Sequence, residues 1–195
     1  NGKDQMSTDE NNTYQVGGGT SAACPGMAGI TAQLYQAYRE LTGQPNPEAA
    51  LIKACLLNSA EDIGVVGPDY FYGYGRVNAL RAVKTLEDMH YMSDSVSMGI
   101  TNTHTINVPP GTSKVRVMVL WNDVEGDPAA ARALVNDLNI TVTDPSTTVF
   151  NPWVLNPAPN ASTLDDAAIR SIDSLNNMEQ VTINTPSAGT YTISV

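Results

Sequence analysis

The sequence has few cationic residues and no long apolar run. Ten Lys and Arg residues stand against twenty Asp and Glu residues, which gives a formal net charge of −10. An acidic chain without a Lys/Arg cluster is a poor partner for nucleic acid or for an anionic membrane surface. No stretch approaches the roughly 18 consecutive apolar residues that a membrane-spanning helix needs. We therefore expect no nucleic-acid partner and no membrane span.

Cysteine and charge are also scarce. Cys24 and Cys55 are too few for a disulfide framework or a cysteine-built zinc site. Both lie in helical patterns beside apolar residues, so we interpret them as small buried side chains. Only 15% of the residues are charged, while Asn, Thr and Ser are abundant. This composition weakly indicates the surface of an extracellular protein, and we expect the protein to be secreted.

The first half of the chain carries a helical pattern from residue 17 to about residue 90. The first helix is rich in Ala and Gly, has apolar residues three or four positions apart, and ends at Gly43. A second helix is predicted to begin at Asn46-Pro47-Glu48, with Asn46 as the cap and Pro47 as the first helical residue. A third, short helix is predicted from about Asn78 to Glu87.

The second half of the chain changes to a period of two. Alternating apolar residues in residues 114–121, 138–142, 181–183 and 191–195 are separated by turn-forming Pro, Gly, Asp and Ser. Several short strands with regular turns indicate an antiparallel β-sandwich. The boundary between the halves is expected near Met89 to Asp94.

A glycine-rich turn before the first helix contains the best candidate for chemistry, Ser21. In the segment Gly18-Gly19-Thr20-Ser21, the glycines allow a substrate backbone to approach closely. The helix N-terminus beyond them offers free amides to a developing oxyanion. Pro25 cannot donate a hydrogen bond to the Ser21 carbonyl, which makes the first turn irregular. On physical grounds alone, an ordinary serine cap after a glycine loop is the favoured explanation of the segment.

Three segments of the first half resemble the subtilisin-like serine proteases. Residues 19–25 match the family's serine box, Gly-Thr-Ser-Met-Ala-x-Pro, except that Ala22 replaces Met. Residues 57–60 resemble the Leu-x-Asn-Thr-Ala segment with which the family's following helix ends. Residues 72–79 resemble the Gly-x-Gly-x-Val-Asn-Ala segment that closes the family's catalytic domain. The three matches occur in the family's order, and the resemblance makes Ser21 the nucleophile of a serine endopeptidase.

The resemblance also implies what the chain does not contain. Subtilases order their triad as Asp, His and Ser, so the aspartate, the histidine and the oxyanion-hole asparagine are expected upstream of residue 1. His90 and His104 follow Ser21 and match neither position. We therefore expect this chain to be the C-terminal part of a protease, inactive alone, whose partners are the upstream part of the same domain and a protein or peptide substrate.

The second half resembles the jelly-roll β-sandwich that follows the catalytic domain in one branch of the family. The predicted fold is thus the C-terminal portion of an α/β subtilisin-like domain over residues 1–92, then an all-β antiparallel jelly roll over residues 93–195. The segments that carry this second resemblance are residues 119–123, 134–138, 176–181 and 188–193.

Oxygen ligands cluster in the loops of the second half. Carboxylates and amides without His or Cys are typical of calcium sites, although Asp and Asn also favour turns without any metal. A structural calcium ion is therefore a candidate cofactor, and none is required for the chemistry. The candidate calcium ligands are Asp123, Asp137, Asp173 and Glu179.

The sequence leaves two classes of function open. The first is a secreted subtilisin-like endopeptidase in which Ser21 works with an upstream histidine and aspartate. The alternative is a non-catalytic module, in which the sandwich binds calcium or a surface and the protease part is a remnant without a working triad. The upstream residues decide between the two.

Overall fold

The structure, a computed structural model, describes residues 2–195. It opens with an antiparallel hairpin of β1 (Gln5–Asp9) and β2 (Thr13–Gly17), in which Gln5 pairs with Gly17 and Asp9 pairs with Thr13. The polar N-terminal sequence gave no indication of this hairpin. Residue 1, which begins the predicted first domain, lies outside the described residues.

Three helices follow the hairpin, as the spacing of apolar residues predicts. They are α1 (Thr20–Thr42), α2 (Ala49–Ser59) and α3 (Ala79–Glu87). Their shared core includes Leu34, Ile52 and Leu86, each at most 4% exposed. Among residues 2–195, no helix combines the length and the apolar composition that crossing a membrane requires.

Two details of the helices differ from the prediction. Helix α2 begins at Ala49 after Glu48, so Asn46 is not its cap, and the Asn46 side chain accepts a hydrogen bond from Arg39 instead. Cys55 is buried as predicted, but Cys24 is exposed. The Cys24 prediction was wrong because α1 contributes one buried side chain, Leu34, to the helical core and leaves most of its other residues at least partly exposed.

The second half consists of short antiparallel strands. One sheet has the strand order β3-β10-β5-β6, and two further pairs are β4-β9 and β7-β8. The strands are β3 (Thr103–Val108), β4 (Lys114–Leu120), β5 (Thr141–Thr143), β6 (Val149–Phe150), β7 (Trp153–Val154), β8 (Ile169–Arg170), β9 (Met178–Asn184) and β10 (Gly189–Ser194).

The core of the second half is made by the predicted alternating residues. Ile140, Val142 and Val181 are at most 1% exposed, and Tyr191 packs with them at 1%. The helices and the antiparallel strands are thus confirmed, whereas a jelly-roll connection of the strands remains a prediction. The parallel sheet of a complete α/β domain is not among the described residues, where every strand pair is antiparallel.

The two halves meet along a seam between helix α2 and strands β4 and β9. Arg116 of β4 donates hydrogen bonds to the Asn58 and Ala60 carbonyls at the end of α2. Gln180 of β9 donates to the Asn58 side-chain oxygen over 2.9 Å. The Arg116 bonds satisfy carbonyls that a helix C-terminus leaves unpaired, so the second half caps α2.

A glycine also lies at this seam. Gly67 has a φ of +92°, and a Cβ added to it would lie 3.0 Å from the Trp153 ring. The Trp153 ring also carries the Arg170 guanidinium, 3.6 Å from the ring centroid, and its Nε1 donates to the Thr182 hydroxyl over 2.9 Å. These two contacts hold the indole in place beside Gly67.

We predict that Gly67→Ala destabilises the chain by about 2–4 kcal/mol, through left-handed backbone strain and overlap with Trp153. Gly99→Ala is the matched control, since Gly99 has a φ of +77° and open space around it. This control carries the backbone cost alone, about 1–2 kcal/mol. Denaturant unfolding of both variants measures the difference, and equal losses would show that the Trp153 contact adds no strain.

Candidate active site

Ser21 lies at the second position of helix α1, directly after the hairpin. Strand β2 ends at Gly17, and Gly18 and Gly19 then turn the chain into the helix. Gly19 has a φ of +111°, which favours glycine, and an added Cβ there would meet nothing within 4 Å. Ser21 itself is exposed. The turn therefore presents the serine beside open space, as a nucleophile requires.

The same turn is held by the N-terminal end of the chain. The Gly19 amide donates to the Gly2 carbonyl over 2.6 Å. A Cβ on Gly2 would lie 2.1 Å from the Gly19 oxygen, so the two backbones meet too closely for a side chain at residue 2. This contact fixes the glycine turn against the residues that precede β1.

The start of α1 provides the electrostatics that were expected for an oxyanion. The amides of Ala22 and Ala23 already donate to the Gly19 carbonyl, whereas the first helical amides, at Thr20 and Ser21, have no acceptor within the helix. Gly19 offers no side chain to cap them. The free amides and the positive end of the helix dipole favour negative charge beside Ser21.

The two histidines of the chain have partners in other parts of the structure. His104 lies in β3, where its Nε2 is 3.3 Å from a carboxylate oxygen of Asp94. His90 follows α3, and its amide donates to the Thr85 carbonyl. Among residues 2–195, the Ser21 hydroxyl has no hydrogen-bond partner. That the catalytic base is neither of these histidines stays a prediction.

The glycine motif of residues 72–79, the last of the three that resemble the subtilases, has a structural role. Gly75 has a φ of +107°, and a Cβ there would lie 2.1 Å from the Glu61 carbonyl oxygen. That close approach allows Glu61 and Arg76 to exchange backbone hydrogen bonds of 2.7 and 2.8 Å. Asn78 then caps α3 through the Arg81 amide and donates to the Glu61 carboxylate. The motif thus attaches α3 to the end of α2.

Three of the four candidate calcium ligands already have protein partners. Asp123 accepts hydrogen bonds from the amides of Val135 and Asn136, and these bonds hold its pKa below the usual value against the opposing effect of desolvation. Asp173 accepts from the amides that follow it in its own loop. Asp137 is paired with Arg132 at 3.2 Å. These carboxylates perform turn and ion-pair roles that need no metal.

Glu179 differs from these three because one of its two carboxylate oxygens has no hydrogen-bond partner among the described residues. Its side chain is 1% exposed, and one carboxylate oxygen accepts from the Ile140 amide over 2.7 Å. The other oxygen, Oε1, is buried and has no hydrogen-bond partner among residues 2–195. Burial, together with the charges of Asp173 and Asp137, raises the pKa of Glu179 to about 7, against the opposing effect of the Ile140 and Asp173 backbone amides. The alternation that places Val181 and Ile183 inside also places Glu179 inside.

In this structure the four candidate calcium ligands do not form one metal site. Within residues 2–195, no three His, Cys, Asp or Glu side chains come together in a group that could hold a metal ion. The free Glu179 oxygen is suitable for a hard cation, but the other three carboxylates are directed to separate partners. A calcium ion would have to rearrange them.

Comparison with known proteins agrees with the motifs. The model of the subtilase family matches residues 2–75, and the model of the bacterial pre-peptidase C-terminal domain matches residues 100–195. The first match includes Ser21 and the glycine motif up to Gly75. The second match begins just before β3 and covers every strand of the second half.

Similar curated proteins carry protease names. A "Calcium-dependent protease" of Trichormus variabilis is 40% identical over 74 residues, covering 34% of this chain and 10% of that protein. An "Extracellular serine protease" of Serratia marcescens is 33% identical over 100 residues, covering 47% of this chain and 9% of that protein. The chain thus spans about a tenth of the length of the curated relatives it matches.

A solved structure, the serine protease of Aeromonas sobria, is also similar. It is 15% identical, covers 95% of this chain and 38% of its own, and gives a TM-score of 0.32. The family-model matches, rather than this distant likeness, define the relationship. Residues 2–75 are thus similar to the subtilase family, and residues 100–195 are similar to the bacterial pre-peptidase C-terminal domain.

Proposed function

We propose that this chain is the serine-bearing C-terminal part of a secreted subtilisin-like serine endopeptidase, with Ser21 as its nucleophile. The observation that carries the proposal is the exposed Ser21 at the free N-terminus of α1, inside the segment that matches the subtilase family. The extracellular relative from Serratia marcescens supports secretion. The chain's share of about a tenth of its relatives' length supports a larger parent protein.

The proposed mechanism is the serine-protease scheme. A histidine from the upstream part of the protease takes the proton of the Ser21 hydroxyl as its oxygen attacks the peptide carbonyl, and an upstream aspartate orients that histidine. The Ser21 amide and an upstream asparagine stabilise the oxyanion. The amine product leaves, and water then hydrolyses the ester on Ser21. This chain supplies the nucleophile and one oxyanion donor.

We assign the role of a brace to the second half. The proposed domains are residues 1–92, as the C-terminal part of the protease domain, and residues 93–195, as a jelly-roll accessory domain. The hydrogen bonds from Arg116 and Gln180 to the end of α2 support this role. The sandwich would then stabilise the helices that carry Ser21.

Calcium belongs to the proposal as a structural ion of the sandwich. The name of the Trichormus variabilis relative and the free Oε1 of Glu179 support it. Asp123, Asp137 and Asp173 are the other proposed ligands. A rise in the melting temperature on adding calcium, lost in Glu179→Gln, is the expected sign of such a site, and an unchanged melting temperature would remove calcium from the proposal.

The test of the function compares this chain with the longer polypeptide that contains it. We expect the longer polypeptide to hydrolyse an unstructured protein such as casein and this chain alone to be inactive, because the proposed base for Ser21 lies in the upstream part of the protease. Hydrolysis by the purified chain alone would contradict the proposed division of the triad. Inactivity of both would favour the alternative, a non-catalytic binding module on a pseudoprotease remnant.

A further inference from the structure

An open cleft of about 410 Å³ lies at the seam between the two halves. One wall is formed by the end of α2 and the first turns of α3, and the other by the start of β4. Its lining residues are Asn58, Ser59, Arg81, Thr85, Ser113, Lys114 and Arg116.

Cationic side chains are concentrated in this cleft, although the chain as a whole has a negative net charge. The chain has ten Lys and Arg residues in all, and three of them, Arg81, Lys114 and Arg116, line this one cleft. Burial and the nearby Arg81 charge lower the pKa of Arg116, although Asp62 and Glu61 oppose them. The cations are therefore close enough to repel one another.

No carboxylate is paired with these three cations. Arg116 donates to the neutral carbonyls of Asn58 and Ala60, and within residues 2–195 neither Arg81 nor Lys114 forms an ion pair. The two acids whose charges act on Arg116 have hydrogen-bond partners of their own: Glu61 accepts from Arg76 and Asn78, and Asp62 accepts from the Gly67 amide. Arg81 and Lys114 are exposed, and Arg116 is half-buried with the charges of Asp62 and Glu61 only partly offsetting its burial. An anion in the cleft would add a counter-charge that these three cations share.

Neutral hydrogen-bond donors accompany the cations. The Ser113 hydroxyl lines the same space, as do the Thr85 hydroxyl and the Asn58 amide, which also donate to the Arg81 and Arg116 carbonyls. Guanidinium groups and hydroxyls are the donors that bind oxyanions with several acceptor oxygens. The lining contains no carboxylate and no aliphatic side chain, so it suits an anion better than an apolar ligand.

We propose that this cleft binds a multiply charged oxyanion that joins α3 to β4. Arg81 provides the contact from the subtilase side, and Lys114 and Arg116 provide it from the pre-peptidase C-terminal side. The bound oxyanion stabilises the docking of the two halves and takes no part in peptide-bond hydrolysis. Its chemistry is found both in free phosphate and in the carboxylates of an acidic peptide.

The experiment titrates the full chain with inorganic phosphate and, in a second arm, with a short oligoglutamate peptide, both at constant ionic strength. Calorimetry and the melting temperature are the readouts. We expect saturable binding and a higher melting temperature with at least one anion. Arg81→Gln and Lys114→Gln should each weaken binding about tenfold, the effect of losing one charge-assisted hydrogen bond.

Lys53→Gln is the matched control, because Lys53 is an exposed cation of α2 outside the cleft. It should bind the anion like the parent chain. Saturation by phosphate alone would identify a free inorganic oxyanion as the ligand, and saturation by the peptide alone would identify an acidic peptide. Lack of saturation with both anions, or equal weakening in Lys53→Gln, would overturn the proposal, since either result would show only general charge screening.

Discussion

Ser21→Ala, made in the longer protease, is expected to lower kcat by about 10⁶-fold, the loss established for subtilisin when its serine or histidine is removed. The physical reason is that the Ser21 hydroxyl is the proposed nucleophile, whose oxygen forms the ester intermediate. The fold should not change, because Ser21 is exposed and its side chain has no partner among residues 2–195. The free energy of unfolding should therefore change by less than about 0.5 kcal/mol.

The control for this prediction is Ser187→Ala, at an exposed serine of the turn before β10. It should retain the activity of the parent. A residual activity in Ser21→Ala within tenfold of the parent would contradict the assignment of the nucleophile. A collapse of stability in Ser21→Ala would instead identify Ser21 as a structural residue.

The second large effect is expected in the pH dependence of stability, through Glu179. Its pKa is about 7 in the folded chain, against 4.5 in the ordinary case. An acid whose pKa is raised by folding favours the folded state only while it is protonated. Stability should therefore fall as the pH rises from about 4.5 through about 7, by about 3 kcal/mol in total.

Glu179→Gln should remove this loss, because glutamine cannot ionise. Its stability should be close to that of the parent near pH 4.5 and greater above pH 7, in urea unfolding with a chelator present to exclude metal. Glu125→Gln, at an exposed glutamate of the same half, is the charge-matched control and should retain the parent's slope. If the unfolding free energy of Glu179→Gln depended on pH as steeply as that of the parent, another group would be titrating over this range.

Much of the helical half could be predicted from the sequence, since local signals determine it. The spacing of apolar residues located α1, α2 and α3, and Gly43 ends α1 with a φ of +71° as a C-terminal glycine does. The glycine turn placed Ser21 at the helix start. The cap at Asn46 was wrong because Arg39 binds its side chain from the preceding helix, a contact that local rules do not contain.

The hairpin and the shortest strands could not be predicted. Strands β1 and β2 have almost no buried residues, so they lack the apolar alternation that reveals a strand. Strands β6, β7 and β8 have two residues each, which is too few to show a period. Backbone pairing with a neighbouring strand defines all of them.

The contacts between the two halves could not be predicted from the sequence either. The fit of Gly67 against Trp153 and the bonds from Arg116 to Asn58 join residues more than fifty positions apart. The cationic cleft depends on the same docking, because no basic cluster occurs in the sequence itself. Glu179, by contrast, carried a usable signal: it is in phase with Val181 and Ile183, which predicts a buried acid.

The most direct test of the central claim is labelling with a fluorophosphonate, a reagent that reacts with an activated serine. In the longer protease, intact mass and peptide mapping should find one label, on Ser21, and the label should disappear in Ser21→Ala. The 195-residue chain alone should remain unlabelled until the upstream part is added. A label on any other serine, or no label in an active protease, would contradict the assignment of Ser21 as the nucleophile.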